Sequence, residues 1–269
     1  MTEKTIGIQN ITAKHEAIMA AGLTTPTIFS PEISGLCDAE IYLKLENLQP
    51  TGSFKVRGAL LRLTNLDAES RVRGVVAMSA GNHAQGVAYH AQKLGVPATI
   101  IMPSNTPFTK ISRTERLGAK VILAGENLSD SQLEADQLAK SDGLTLIHPY
   151  DDLDVITGQG TIALELLDTQ PDLDAIVVPI GGGGLISGIS IAAKATNADI
   201  NIFGVEAQQY ASMKATIAGL DADCGGQTVA EGIAVKSTGQ LTRKYVLEHV
   251  ADIFLAAEHE IEEAMQIYL

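Results

Sequence analysis

What this chain has little of already narrows its use. Its 269 residues hold two cysteines, Cys37 and Cys224, far apart and without metal-ligand spacing around either. Free thiols in a reducing compartment are the expectation. Basic residues are scarce: 19 Lys and Arg stand against 32 Asp and Glu, for a net charge of −13, and no basic run occurs. Sequence-independent nucleic-acid binding needs clustered Lys and Arg, so that class of partner is excluded. An anionic substrate would have to be met by local donors, because the overall field repels it. No apolar stretch approaches membrane-spanning length without interruption, and the longest candidate is broken by the glycines at 181–184. The N-terminus, MTEKTIGIQN, lacks a basic region followed by an apolar one. No solenoid-period repeat and no low-complexity segment appears. A cytoplasmic protein with no membrane partner is expected.

What is present is an alternation. Short apolar runs at Val75–Met78, Ala98–Met102, Lys120–Leu123, Thr145–Ile147, Ala175–Val178 and Ile202–Val205 are separated by helical patterns. Those patterns cover about 83–93, 107–117, 129–141, 155–168 and 185–196. Continuous apolar runs between turns suit strands buried on both faces, and their alternation with helices implies mostly parallel, doubly wound sheets. The rhythm breaks near Leu48-Gln49-Pro50 and near His148-Pro149-Tyr150-Asp151-Asp152. The expectation is an α/β protein of two lobes, residues 1–48 with 149–269 and residues 49–148, with ligands at the C-terminal ends of the strands in the cleft between them.

Three loops hold the chemistry. Thr51-Gly52-Ser53-Phe54-Lys55-Val56-Arg57-Gly58 places one lysine at the head of a helix. Unpaired N–H groups and the macrodipole disfavour an ammonium there, so the Lys55 amine is expected to titrate below about 10.4. A neutral amine is what Schiff-base chemistry requires. Ser79-Ala80-Gly81-Asn82-His83 follows a strand and opens a helix. Its N–H groups and the Ser79 hydroxyl suit a carboxylate, and the Asn82 amide can donate to a phenolate oxygen. Ser79 or Asn82 as a plain helix cap is an equal reading of the same residues. Gly181-Gly182-Gly183-Gly184 joins a strand to a helix. Four glycines are more than a tight turn needs, and they let backbone N–H groups approach a phosphate. The rival use is a dinucleotide site, from Gly182-x-Gly184 with Glu206 at the end of the next strand, although Ser187 stands where the third glycine belongs.

An amine, a donor for a phenolic oxygen and a phosphate cup match the aldehyde, hydroxyl and phosphate of pyridoxal phosphate. The chain resembles the threonine/serine dehydratases of the type II pyridoxal-phosphate fold, which is tryptophan synthase β-like. The resemblance runs from about Ile8 to Met265, through Lys44-Leu45-Glu46-Asn47, the Gly52–Gly58 segment, Ser79–Gln85, Gly158-Gln159-Gly160-Thr161, Gly181–Gly184 and Ala230-Glu231-Gly232-Ile233-Ala234-Val235-Lys236. It implies that Lys55 bears the cofactor as a Schiff base and acts as the catalytic base. Phe54 would pack on the cofactor ring, with ordinary core packing as the alternative reading, and Asn82 would bond its hydroxyl. Gly181, Gly182, Gly183 and Gly184 would hold the phosphate. The loop of Ser79, Ala80, Gly81, Asn82 and His83, with Ser53 nearby, would receive the substrate carboxylate. His83 has no proton-transfer role, and the other five histidines show no pairing that suggests function.

The implied reaction is β-elimination from a hydroxy amino acid, threonine or serine, giving a 2-oxo acid and ammonia. Similar racemases have a second serine where this chain has Ala80, which cannot move a proton; a dehydratase is therefore expected over a serine racemase, with a hydroxyaspartate dehydratase as a further relative. Glu258–Leu269 reads as an amphipathic helix on Ile261, Met265, Tyr268 and Leu269, after which the sequence stops. A C-terminally truncated member of the family is the expectation, with no residue to assign to the pyridine nitrogen. A nucleotide-binding oxidoreductase and an inactive truncated protein are the alternatives. Some relatives bind a cation near a glutamate matching Glu206, with an aspartate six residues on; Ser212 is here, so metal stays open. Homodimers or homotetramers are what the family suggests.

Overall fold

The computed structural model describes residues 5–267. The chain divides into two compact units: unit 1 takes Met1–Glu46 and Gln159–Leu269, and unit 2 takes Asn47–Gly158. Unit 1 begins with α1 (Ile8–Ala20), which buries Ile11 and Ile18. Strands β1 (Thr27–Phe29) and β2 (Tyr42–Lys44) pair antiparallel, with Ile28 opposite Leu43. Between them α2 (Pro31–Cys37) starts on proline, whose missing N–H costs nothing at a first turn.

Unit 2 is the regular α/β block. It runs α3 (Lys55–Thr64), α4 (Ala68–Arg73), β3 (Val75–Met78), α5 (Asn82–Leu94), β4 (Ala98–Met102), α6 (Phe108–Arg116), β5 (Lys120–Leu123), α7 (Leu128–Ser141) and β6 (Thr145–Leu146). The strands lie in the order β5-β4-β3-β6, all parallel. Alternate residues feed opposite cores. Val75, Ala77, Ile100 and Met102 pack with Ala59, Leu63, Val87 and Ala91. Val76 and Ile101 pack with Ala135 on the other side. Burial on both faces is why these strands read as unbroken apolar runs.

Helix α8 (Leu153–Thr169) crosses the division. The sequence pattern sets the lobe boundary at 148/149, but the units part at 158/159. The first turn of α8 stays with unit 2 because it is tied there. The Asp152 carboxylate accepts from Asp154 N (2.9 Å) and Val155 N (3.1 Å), and Arg62 pairs with Asp152 at 3.0 Å. Asn65 Nδ2 donates to Asp154 at 2.6 Å. The proline at 149 breaks a pattern without ending a compact unit.

The remainder of unit 1 runs β7 (Ala175–Pro179), α9 (Gly184–Thr196), β8 (Asn201–Ala207), α10 (Ser212–Ile217), α11 (Gln240–His249), β9 (Asp252–Ala256) and α12 (Glu258–Ile267). Strands β7-β8-β9 form a parallel sheet, with Val177 opposite Phe203 and Phe203 opposite Asp252. Ile176, Val178, Ile202 and Ile253 on one face are buried, whereas Val177 and Phe254 on the other are 65% and 51% exposed. The sequence patterns include nothing for α11 or β9. Helix α12 buries no side chain; Tyr268 and Leu269, assigned to its apolar face, lie outside the described residues.

Glycine contacts draw these layers together. A Cβ on Gly158 would sit 2.7 Å from the backbone of Arg57 and Gly58, and one on Gly160 would sit 2.6 Å from Ile11 Cδ1. Gly158→Ala is therefore expected to destabilise by about 1–3 kcal/mol, the range for overpacking. Gly35→Ala, in open space inside α2, should instead be neutral or stabilising by up to about 1 kcal/mol. Urea unfolding of the two variants checks the pair.

Candidate active site

Ser53, Phe54, Lys55 and the segment Ser79–His83 fall in unit 2, and the four glycines and Glu206 fall in unit 1. Lys55 is the first residue of α3. Gly52 before it has φ +73°, a backbone state that a side chain would strain. Helix α5 packs directly on this start. A Cβ on Gly86 would meet the Lys55 carbonyl carbon and oxygen at 3.2 Å, so any larger residue would push the two helices apart by a few tenths of an ångström. The Lys55 ammonium lies 5.3 Å from the centre of the Phe54 ring and donates to the Pro149 carbonyl at 2.7 Å. Burial lowers its pKa from 10.5 to about 8. The direction is the expected one, but the cause is exclusion of water rather than the helix head. At neutral pH such an amine has roughly 300-fold more of its neutral form than one at 10.5.

Two buried hydroxyls beside this lysine have no hydrogen-bond partner, Ser53 Oγ and Thr51 Oγ1. Sequence reasoning named Ser53 and passed over Thr51. A buried hydroxyl without a partner carries a desolvation penalty that a ligand would remove.

The Ser79–His83 segment rises from β3 into α5. The N-cap position is Gly81, and no side chain caps the helix. Ser79 Oγ accepts from Gly81 N at 3.1 Å, so neither Ser79 nor Asn82 spends itself as an ordinary cap. Asn82 is exposed, while Ser79, Ala80 and Gly81 are half-buried. His83 is buried, and its Nε2 lies 2.9 Å from the Ile147 carbonyl. Burial first and the Lys55 charge second pull its pKa down to about 3, so it is a neutral donor to that carbonyl. His148 also has a place here, contrary to the reading that the other histidines lack pairing. Its Nδ1 is the acceptor for Asp151 N at 2.8 Å and Tyr150 N at 3.3 Å, and the Tyr150 ring stands edge-on to it. Both partners are backbone groups, which no spacing of residue types reveals.

In unit 1 the glycine turn is shaped from behind. Gly183 has φ +92°, and a Cβ there would come within 2.5 Å of Met213 Cε and 2.8 Å of Thr242 Cβ. Thr242 Oγ1 donates to the Gly182 carbonyl at 2.7 Å, and Ser187 Oγ donates to the Thr242 carbonyl at 3.2 Å. Ile233 and Val235, from the Ala230–Lys236 motif, lie against Gly181, within 3.2 and 3.0 Å of where a Cβ would stand. No side chain caps α9, so its leading N–H groups are open to an anion.

The Glu206 carboxylate is fully buried and already engaged. Its oxygens accept from Met213 N at 2.7 Å and Lys214 N at 2.9 Å. Burial raises its pKa, while those two N–H groups oppose the rise. A carboxylate turned to the start of α10 is not offered to a ribose. Among the described residues no group of three or more His, Cys, Asp and Glu side chains is placed to hold a metal.

The sequence profile of the family described as pyridoxal-phosphate dependent enzyme matches residues 18–269. This chain belongs to that family. Among its relatives is the L-threonine ammonia-lyase of Thermotoga maritima, 46% identical over 247 residues, which cover 91% of this chain and 62% of that one. The catabolic L-threonine dehydratase TdcB of Staphylococcus aureus is 45% identical over 245 residues, covering 90% and 71%. The chain thus spans between three fifths and three quarters of the length of these relatives. Among solved structures, maize serine racemase superposes with a TM-score of 0.92 at 33% identity, over 98% of this chain and 80% of that one. The dinucleotide reading of Gly182-x-Gly184 is not supported: the family match and the inward-turned Glu206 both stand against it.

The residues present fit pyridoxal phosphate. Within unit 2, a lysine of lowered pKa, two hydroxyls without partners in the preceding turn and a helix start without a side-chain cap suit its aldehyde and polar groups; within unit 1, a glycine turn and a second uncapped helix start suit its phosphate. The glycine turn is expected to be rigid and sensitive. Gly183→Ala should cost about 2–4 kcal/mol through left-handed strain and overlap with Met213. Thr242→Val should cost about 1–2 kcal/mol for the carbonyl left unpaired. Thermal unfolding of both variants reads these losses.

Proposed function

We propose that this protein is a pyridoxal-phosphate lyase that dehydrates and deaminates L-threonine or L-serine, yielding 2-oxobutanoate or pyruvate and ammonia. One observation carries the reading above the others: the Lys55 amine at the start of α3, donating to the Pro149 carbonyl at 2.7 Å and lowered by burial to a pKa of about 8, within the Gly52–Gly58 segment on which the resemblance rests. The relatives named for threonine ammonia-lyase and threonine dehydratase support the substrate class.

When bound, pyridoxal phosphate supplies an electron sink that makes the substrate Cα–H acidic. The chain supplies the rest. Lys55 would hold the cofactor aldehyde, and its neutral nitrogen would take the Cα proton of the substrate. Phe54 keeps water from one side of that amine. Asn82 donates its amide to the ring hydroxyl. The N–H groups at the start of α5, with the Ser79 hydroxyl and Ser53, receive the substrate carboxylate. Gly181, Gly182, Gly183 and Gly184 offer backbone N–H groups to the phosphate, where no side chain intervenes. Ala80 and His83 lie in the carboxylate loop without a proton to exchange, Ala80 by its chemistry and His83 by its depressed basicity. Proton removal and return are thereby confined to one face, which favours elimination over racemisation. The two cysteines are free, which accords with a cytoplasmic setting, and no described helix is long and apolar enough to cross a membrane. Assembly as a homodimer or homotetramer belongs to the same proposal.

Borohydride reduction in the presence of pyridoxal phosphate, followed by peptide mapping, is the test. The adduct is expected on Lys55, and Lys55→Ala should lose the visible band and more than 1,000-fold of the ammonia release, the scale of losing a general base. Labelling elsewhere, or full turnover in Lys55→Ala, overturns the proposal. Conversion of L-serine to D-serine at a rate matching elimination would overturn the single-face assignment.

A further inference from the structure

The turn that receives the Lys55 ammonium is itself built by a histidine. Pro149, whose carbonyl accepts from Lys55 Nζ at 2.7 Å, is the residue after His148. The His148 ring folds back over the turn, and its Nδ1 accepts from the N–H groups two and three residues on, Tyr150 and Asp151. On the other side, His83 donates to the Ile147 carbonyl at 2.9 Å. The segment 147–151 is thus pinned by two imidazoles, one as a donor and one as an acceptor, and the Pro149 carbonyl is left pointing at the lysine.

We infer that His148 is a positioning residue: by holding the 148–151 turn through its unprotonated Nδ1, it keeps the Pro149 carbonyl as the acceptor for Lys55 whenever that amine is free. The catalytic meaning of this rests on Lys55 being the cofactor lysine. An amine released during turnover needs a defined place from which to act, and a buried ammonium without an acceptor would carry a large desolvation penalty. The carbonyl supplies both.

The arrangement requires one protonation state. An Nδ1 accepting two N–H groups cannot carry a proton, so the proton of neutral His148 is on Nε2. Burial lowers its pKa from 6.5, the Asp151, Asp152 and Asp136 carboxylates oppose this, and the Lys55 charge reinforces it. Asp152 is itself engaged with Arg62. Protonated His148 would lose the turn and set a second cation beside Lys55. Neutral His83, facing from α5, adds no charge.

The experiment reads the amine without cofactor. Trace acetylation of cofactor-free protein between pH 7 and 10, with Lys55 acetylation quantified by peptide mass spectrometry, yields the midpoint of its titration. His148→Phe keeps the ring volume and removes the acceptor. It should lower the Lys55 midpoint by about one unit, seen as roughly fivefold faster labelling near pH 7. His148→Asn puts an oxygen where Nδ1 stands and should bring labelling back to within about twofold of the parent. An unchanged or raised midpoint in His148→Phe, or no recovery in His148→Asn, overturns the proposal. Should the Phe variant fail to fold, 15N spectra of the parent decide: a proton on Nδ1 of His148 overturns it, and a proton on Nε2 with an unprotonated Nδ1 sustains it. Failure of pyridoxal phosphate to label Lys55 in the parent would instead sink the enzymatic reading, and it leaves the titration result to stand on its own.

Discussion

One desolvated amine sets the terms for unit 2. Burial withdraws the Lys55 amine from water, and α5 packs on the start of the same helix, where a Cβ on residue 86 would come within 3.2 Å of the Lys55 carbonyl. Once the amine is withdrawn from water, its charged form needs an acceptor, which Pro149 supplies. The neutral form becomes accessible near physiological pH, and this is the property a carbonyl-reacting nitrogen must have. The polar groups around it follow the same constraint. His83 is neutral because it shares the dry surroundings and feels the lysine charge.

Unit 1 contributes a fixed glycine turn at the head of α9, which suits the proposed reception of an anion by backbone. Its glycine turn is not slack, since Gly183 is wedged against Met213 and Thr242, and Gly182 is held by a threonine hydroxyl from α11. The entropy that four glycines lose on folding is offset by fixing them from behind, and no side chain caps the start of α9. Glu206 shows how the same sheet uses a carboxylate structurally. Placed at the end of β8, it spends both oxygens on the first turn of α10, where a cation or a ribose would otherwise be sought.

Much of this was legible in the residues, for identifiable reasons. The runs Val75–Met78 and Ala98–Met102 are strands with those bounds because burial on both faces writes itself as unbroken apolar sequence. The glycine clusters and the lysine motif stood out because chemistry forces rare residue patterns. What escaped notice depends on contacts distant in sequence. Strand β9 is a short Asp-Ile-Phe-Leu-Ala segment that becomes a strand by registering with β8 some fifty residues earlier. Thr242 and His148 act on backbone groups, and nothing in a threonine or a histidine advertises that. The lobe boundary at 148 followed a proline, whereas the fold followed the Asp152 cap and its Arg62 partner. The lowered basicity of Lys55 was anticipated for the helix head and is produced by burial.

The most direct check of the account is the titration of Lys55 itself, followed by NMR of 13C-labelled lysine in the unaltered, cofactor-free chain and assigned by Lys55→Arg. The expected midpoint is lowered to about pH 8 by burial. A midpoint at the ordinary lysine value, about 10.4, would mean that the amine is bathed in water and that the site has not been prepared for carbonyl chemistry.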